Sequence, residues 1–287
     1  MKHKLTLSIG SATFRIGSAW KAPLDQLSCL YAAYPQDSGR VADFSVRLEP
    51  AGIGRSWFRT SIFIAGDHML PDAAPMALRH GLLAAEMGMN LQMALGWRRH
   101  VLLHASCVEK DGRALVMTGE SGSGKSTLAA LLGEHGWRLL GDEFVLLDLH
   151  DCTVWPFPRL VSLKNSAIPV LGNHVGADRL GPVLDGTPKG TIRHLVPNTQ
   201  AVAGMLTPAI PVALLFPRYG QAPDMRPVGQ GEMFMRLTQA STNYVALGEA
   251  GFRALTGFVK TVPGMAIDYP DGDTAMAMVQ SIWDGLV

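Results

Sequence analysis

Cysteine, aromatic residues and an excess of charge of one sign are all scarce in this chain of 287 residues. Its three cysteines, Cys29, Cys107 and Cys152, are widely spaced and form no C-x-x-C pair. The sequence therefore predicts neither a disulfide framework nor a zinc site, and it favours a reducing cytoplasm. The formal net charge of +1 provides no electrostatic footprint for nucleic acid, so we expect no nucleic-acid partner.

Long apolar runs are missing as well. No uninterrupted apolar stretch approaches the roughly 20 residues that cross a bilayer as a helix. The N-terminal stretch 5–9 alternates apolar and polar residues, unlike the apolar segment of a signal peptide. Neither an L-S-G-G-Q helix start nor an N-K-x-D guanine-reading segment is present, which disfavours ATP-binding-cassette proteins and GTPases. We expect a soluble protein with no membrane partner.

The most informative stretch is G-E-S-G-S-G-K-S-T, which fits the phosphate-binding pattern G-x-x-x-x-G-K-[ST] at every fixed position. It lies between an apolar run, 114–117, and a helix-forming run that begins at Leu128. Glycines allow the backbone to turn tightly, so that N–H groups and the start of the next helix point at a polyphosphate. The residues expected to bind the nucleotide are Gly119, Glu120, Ser121, Gly122, Ser123, Gly124, Lys125, Ser126 and Thr127.

Two of these side chains have specific expected roles. Lys125 would supply a cation for the outer phosphates, and the Ser126 hydroxyl would ligate the Mg²⁺ that accompanies ATP. Farther along, the run 137–148 predicts an apolar strand that ends in carboxylates, with the adjacent acids Asp142 and Glu143. Neighbouring residues of a strand point to opposite faces, so at most one of the two acids should meet the metal directly unless the strand is bulged.

The remaining pattern predicts an α/β fold, in which a P-loop nucleotide-binding core has a mixed sheet flanked by helices. Residues 1–74 predict a β-rich N-terminal module, with strands that include Phe44–Leu48 and Trp57–Ile64. Residues 75–100 predict a connecting helix, and residues 101–287 predict the P-loop kinase domain.

Individual elements follow from the same pattern. The connecting helix should bury Leu83, Met87, Leu91 and Leu95 on one face. A strand over 101–108 should turn through 110–113 into the strand that ends at Thr118. A closing helix should be capped by Asp271 or Asp273.

The run 172–197 is rich in glycine, proline and aspartate, and carries Lys189, Arg193 and His194. It predicts a long basic loop. Such a loop could serve as a mobile lid, as a substrate-docking segment or as a solvated connector, and the sequence leaves these alternatives open.

Taken together, the residues from His104 to Lys164 resemble the catalytic domain of bacterial HPr kinase/phosphorylase, and in particular the HPr-kinase-related proteins that accompany peptide-modifying gene sets. In that family a histidine stands fifteen residues before the first loop glycine, as His104 does here. An acidic pair lies seventeen and eighteen residues after the loop lysine, as Asp142 and Glu143 do after Lys125. The likeness is strong over the middle of the chain and does not extend to the first hundred residues.

The resemblance implies an HPr-kinase/PEP-carboxykinase-like fold and catalytic roles for His104, Lys125 and Glu143. Glu143 would accept the proton of the substrate hydroxyl, Ser126 would ligate Mg²⁺, and Asp142 would serve the metal or the histidine. The resemblance also implies self-association. For His104, a buried and hydrogen-bonded core histidine is the structural alternative.

Two departures from the family pattern narrow the expected activity. The second acid is Glu143, where HPr kinase proper usually has aspartate. The family pattern also has a later glutamate that serves Mg²⁺, followed by an arginine. The corresponding stretch here is Ser162–Lys164, and the loss of that glutamate disfavours the reverse, phosphorolytic reaction. Lys164 keeps a cation that could hold a phosphate of the nucleotide or substrate.

The sequence thus predicts an ATP-dependent kinase that acts on a hydroxyl of a peptide, a small protein or an amino-acid-like metabolite, with ATP and Mg²⁺ as cofactors. Two alternatives stay open. One is a simple ATP hydrolase, and the other is a nucleotide-sensing scaffold or regulator.

Overall fold

The computed structural model describes residues 1–37, 39–52, 60–70 and 74–286, and the predicted strand residues 57–59 lie outside these ranges. The strands are β1 His3–Ile9, β2 Ala12–Ser18, β3 Phe44–Pro50, β4 Ser61–Gly66, β5 Met76–Ala77, β6 His100–Leu103, β7 Ala105–Lys110, β8 Arg113–Thr118, β9 Arg138–Gly141, β10 Val145–Asp148, β11 Val154–Trp155, β12 Val161–Lys164, β13 Leu180–Thr187, β14 Gly190–Leu195, β15 Ile210–Tyr219, β16 Asp224–Val228 and β17 Gly264–Tyr269. The α-helices are α1 Lys21–Leu30, α2 Gly81–Gly96, α3 Lys125–Glu134, α4 Ala167–Gly172, α5 Thr199–Ala203, α6 Gln230–Ala240, α7 Tyr244–Leu247, α8 Glu249–Thr261 and α9 Gly272–Asp284.

The described residues fall into two compact units, and the fold is mixed α/β with sheets flanked by helices, as predicted. The first unit lies within residues 1–97 and 181–192, so α2, the predicted connector, belongs to it. The second unit lies within residues 98–180 and from Arg193 onwards. No helix in the described ranges is both long and apolar enough to cross a membrane.

In the first unit a sheet runs in the order β1-β2-β3-β4-β5. Strand β2 pairs parallel with β3, and the other pairs are antiparallel. Helix α2 packs on this sheet through its small residues, because a Cβ on Gly88 would collide with Val46 at 2.5 Å. The predicted apolar face of α2 was wrong at Met87, which is 47% exposed, whereas Met89 is buried. The spacing of the large apolar residues does not indicate the buried face, because glycine and alanine are the residues that allow α2 to approach the sheet closely.

The prediction of a long loop over 172–197 was also wrong, because most of this run forms the hairpin of β13 and β14. Leu184 and Ile192 of the hairpin are buried with Leu83 in the core of the first unit. The ring Nε2 of His80 lies 2.8 Å from the carbonyl oxygen of Asp185, in hydrogen-bond contact. The burial of these apolar side chains outweighs the turn preference of the glycines and prolines in this run.

In the second unit the main sheet runs in the order β16-β17-β15-β8-β7-β9, and a smaller sheet runs β11-β10-β6. The predicted hairpin of β7 and β8 is confirmed, with Lys110 opposite Arg113. Helices cover both faces of the main sheet. Leu115 and Met117 of β8 pack with the core around α3 and α9, whereas Val116 packs with the core around α6 and α8. Because both faces are buried, β8 is apolar without interruption over 114–117 and does not alternate with polar residues there.

Candidate active site

The glycine-rich loop joins the end of β8 to the start of α3 and has a backbone that only glycine adopts easily. Gly122 and Gly124 have φ of 85° and 96°, in the left-handed region that L side chains disfavour. Around Gly124 there is also no room, since a Cβ there would meet the Tyr269 hydroxyl and lie 3.2 Å from the Cβ of Tyr219. The carbonyl oxygen of Ser123 accepts a hydrogen bond of 3.1 Å from the N–H of Tyr219. The loop is therefore held in place by the ends of β15 and β17.

Lys125, the first residue of α3, is nearly buried and folds back over this loop. Its Nζ donates hydrogen bonds of 2.8 Å to the carbonyl oxygens of Gly119 and Glu120. Burial lowers the pKa of Lys125, and the charges of Asp142 and Glu143 oppose that shift. The ammonium group thus lies within electrostatic reach of both acids, at the point where the loop leads into α3.

The chain passes between the two sheets at two corners, from the smaller sheet into the main sheet after β6 and from the main sheet into the smaller sheet after β9. The prediction of one continuous strand over 101–108 was wrong. In the run 137–148, β9 ends directly before the two acids, as expected of a strand that ends in carboxylates, and a second strand, β10, follows them. Strands β6 and β10 pair in the smaller sheet, with Leu103 opposite Val145, whereas β7 and β9 pair in the main sheet, with Cys107 opposite Gly141. His104 occupies the first corner, between β6 and β7.

The second corner consists of residues 142–144, between β9 and β10. Glu143 has a φ of 71° there, which a side chain other than glycine adopts only at a cost of roughly 1–3 kcal/mol. The two acids therefore do not stand on a regular strand, and the expectation that they point to opposite faces of a strand does not apply to them.

These corners bring His104, Glu143 and Lys164 together. His104 Nε2 lies 3.2 Å from Glu143 Oε2, and Lys164 Nζ lies 3.7 Å from Glu143 Oε1. The hydrogen bond from His104 and the positive charge of Lys164 lower the pKa of Glu143 to about 2, against the opposing effect of burial. The His104 side chain is 49% exposed, so the alternative of a buried core histidine was wrong.

Asp142 is the other acid of the corner and is fully buried. The Ser106 hydroxyl donates a hydrogen bond of 2.5 Å to Asp142 Oδ1. Burial raises the pKa of Asp142, and the charge of Glu143 raises it further, while the hydrogen bond from Ser106 and the nearby Ser126 hydroxyl oppose the shift. Asp142 Oδ2 has no hydrogen-bond partner among the described residues, although the Ser126 hydroxyl lies near enough to lower the pKa of the carboxyl.

Other predicted residues lie elsewhere. Lys189 belongs to the first unit, in the turn between β13 and β14. Arg193 and His194 lie within β14 and not on a loop, and His194 is 2% exposed. In its present position the His194 side chain is therefore not available as a surface docking group.

Sequence reasoning also missed site residues. Ser106 is one, and its signal was a single hydroxyl inside an apolar strand, two residues after His104. Arg159 is another, since it is buried and its charge helps to lower the pKa of Glu143. No group of three or more His, Cys, Asp or Glu side chains in the described ranges is arranged to hold a metal ion.

No family model and no curated protein matches this sequence. Among solved structures, the chain is similar to the Hpr(Ser) kinase/phosphatase from Coxiella burnetii, with 13% sequence identity and a TM-score of 0.31. The match covers 64% of this chain and 95% of that chain. A likeness this low carries no argument about the reaction, so the side chains of the site must carry it.

Proposed function

We propose that the protein is a kinase that transfers the γ-phosphoryl group of ATP to a hydroxyl, of serine or threonine type, on a peptide, a small protein or an amino-acid-like metabolite. One observation carries the proposal. The ionised Glu143 lies between His104 and Lys164, at the edge of a glycine-rich loop whose Lys125 is within electrostatic reach of it. This combination of an anion-binding loop, cations and a carboxylate is what phosphoryl transfer requires.

The loop provides the phosphate-binding half of the site. Its positive-φ glycines and the N-terminus of α3 suit backbone N–H groups to a polyphosphate. Lys125 would exchange its hydrogen bonds with the carbonyl oxygens of Gly119 and Glu120 for bonds to phosphate oxygens. The exchange replaces two neutral acceptors with charged ones, which form stronger hydrogen bonds. Little further desolvation of the ammonium is needed, since it is already buried.

Glu143 provides the acceptor half. With a pKa near 2 it is ionised at neutral pH, so it accepts a hydrogen bond from the incoming hydroxyl and orients it. The hydroxyl oxygen forms a bond to the γ-phosphorus, the bond from that phosphorus to the bridging oxygen breaks, and ADP leaves. The hydroxyl proton passes to Glu143 and then to solvent. Since so acidic a group is a weak base, orientation contributes more than proton abstraction, in keeping with a loose transition state.

Asp142 and Ser126 fit the Mg²⁺ that ATP carries. Asp142 Oδ2 is buried with no hydrogen-bond partner among the described residues, which is costly unless a cation or donor joins it. The Ser126 hydroxyl, at the second residue of α3, lies near that carboxyl. When bound, the ion would neutralise charge on the phosphates. Ser106 fixes the orientation of the Asp142 carboxyl through Oδ1.

The proposal is tested by incubating the protein with labelled ATP, Mg²⁺ and a set of hydroxyl-bearing peptides and cell extracts, and by locating the phosphate by mass. Lys125→Ala should abolish transfer and weaken ATP binding. Glu143→Gln should retain ATP binding and lower transfer by about 10²-fold, the lower end of the contribution of a positioned acid or base, because Glu143 acts mainly by orienting the hydroxyl. Glu249→Gln is the matched control, because Glu249 forms an exposed helical pair with Arg253.

The results separate the alternatives. Unchanged transfer in Glu143→Gln would remove Glu143 from the proposed role. Release of phosphate from ATP at the same rate with and without any acceptor would indicate an ATP hydrolase. Binding of ATP without transfer or hydrolysis would indicate a sensor or regulator.

A further inference from the structure

Tyr219, the last residue of β15, is an exposed aromatic residue beside the glycine-rich loop. Its N–H donates to the carbonyl oxygen of Ser123, and its Cβ is 3.2 Å from the position of a Cβ on Gly124. The residue is nevertheless 54% exposed, whereas Tyr269, whose ring centroid is 6.2 Å away, is 3% exposed. The main chain of Tyr219 thus braces the loop, while much of its ring is open to solvent.

The alternation of β15 sets the face on which Tyr219 lies. Ala213 and Leu215 pack in the core around α3 and α9, whereas Leu214 and Phe216 pack in the core around α6 and α8. Side chains two residues apart share a face of a strand. Tyr219 therefore lies on the same face as Leu215, beyond the end of the core and next to the start of α3.

The strand order of the main sheet determines on which side of the glycine-rich loop Tyr219 lies. Strand β8, which leads into the loop, lies between β15 and β7, and β9 is the next strand beyond β7. His104 precedes β7 and Glu143 follows β9, so both belong to the flank opposite Tyr219. At about 4.8 Å per strand, β9 and β15 are separated by roughly 14 Å across the sheet.

A nucleotide whose phosphates lie along the loop is long enough to span these two flanks. If its γ-phosphate faces Glu143, its α-phosphate, sugar and base must extend across the loop towards β15. We propose that Tyr219 stacks on the base of a nucleoside triphosphate and so gives the site its preference for a nucleotide over a simple polyphosphate. The inference rests on the proposed kinase function and adds a base subsite to it. Aromatic rings stack on any base, because every base has a π face.

The test compares ATP with inorganic tripolyphosphate, each titrated calorimetrically into the full chain in the presence of Mg²⁺. The wild type should bind ATP more tightly than tripolyphosphate. Tyr219→Ala should weaken ATP binding by about 10- to 100-fold, which is the loss expected for one stacked base, and should leave tripolyphosphate binding unchanged. Tyr219→Phe and Tyr219→Trp should stay within about threefold of the wild type, because both retain an aromatic face.

A matched control is Phe252→Ala in α8, which removes an aromatic residue that is 51% exposed and should leave both affinities unchanged. Equal losses for ATP and tripolyphosphate in Tyr219→Ala would overturn the inference in favour of a loop brace. Unchanged ATP affinity would overturn it as well. If the wild type binds tripolyphosphate and ATP equally, the phosphate loop stands and the base subsite falls. If it binds neither, the proposed function fails and this inference with it.

Discussion

Gly124→Ala tests whether the glycine-rich loop owes its shape to two separate constraints. The backbone φ of 96° disfavours any side chain, and the Tyr269 hydroxyl occupies the position of the new Cβ. The left-handed backbone costs alanine about 1–2 kcal/mol, and overpacking against an ordered ring adds about 1–3 kcal/mol. We therefore expect Gly124→Ala to lose about 2–5 kcal/mol, divided between stability and nucleotide affinity.

Gly122→Ala is the matched control, since Gly122 has a similar φ of 85° but, apart from its own chain neighbours, no atom of the described residues within 4 Å of its Cβ position. It should lose only the backbone part, about 1–2 kcal/mol. Tyr269→Phe should separate the steric part in a double-mutant cycle. In the Gly124→Ala background it should recover about 1–3 kcal/mol. Alone, it should cost no more than about 1 kcal/mol, because its hydroxyl makes a long bond of 3.4 Å to the Ser123 carbonyl.

The assay is urea denaturation of each variant, followed by calorimetric titration with ATP and Mg²⁺. The two losses are added, because the loop can relieve the clash by shifting and thereby transfer the cost from stability to binding. Equal total losses for Gly122→Ala and Gly124→Ala would refute the steric constraint. A double mutant no better than Gly124→Ala would refute Tyr269 as its source.

Two further predictions concern the acids of the corner. Asp142→Asn should raise the melting temperature at neutral pH, because the buried carboxylate has a raised pKa and its charged form is disfavoured in the folded state. The gain should shrink as pH falls through that pKa, and a gain independent of pH would contradict the reasoning. Lys164→Ala should raise the pKa of Glu143 and move the acid limb of the pH–rate profile upwards. Lys21→Ala, at an exposed pair, should leave that limb unmoved.

The elements nearest the glycine-rich loop follow from local sequence. The turn at Asp111–Gly112 fixes the hairpin of β7 and β8, and the Lys-Ser start and Gly136 end bound α3. The predicted cap of the closing helix is confirmed at Asp271, whose side chain accepts a hydrogen bond from the N–H of Thr274. In each case the determining residues lie within one turn of the structure they specify, so that a local pattern is sufficient.

The corners could not be predicted in this way. The run 101–108 is apolar on both sides of His104 and contains neither glycine nor proline, so nothing local marks a break. The break arises because β6 and β7 pair with different strands, β10 and β9, which follow about forty residues later. Ser106 escaped notice for the same reason, since its partner Asp142 is 36 residues away in sequence.

The paired corners also account for the unfavourable backbone of Glu143. If β9 ran on regularly through residue 143, Asp142 and Glu143 would lie on opposite faces and only one of them could face the loop. Instead, the chain leaves the main sheet after β9, beside the corner between β6 and β7. Asp142 can therefore contact Ser106 while Glu143 contacts His104. The left-handed φ of Glu143 is the local cost of that double placement, and pairing of Leu103 with Val145 in the smaller sheet helps to stabilise it. Strained backbone of this kind clusters at active sites, so the φ of Glu143 supports the proposed kinase function.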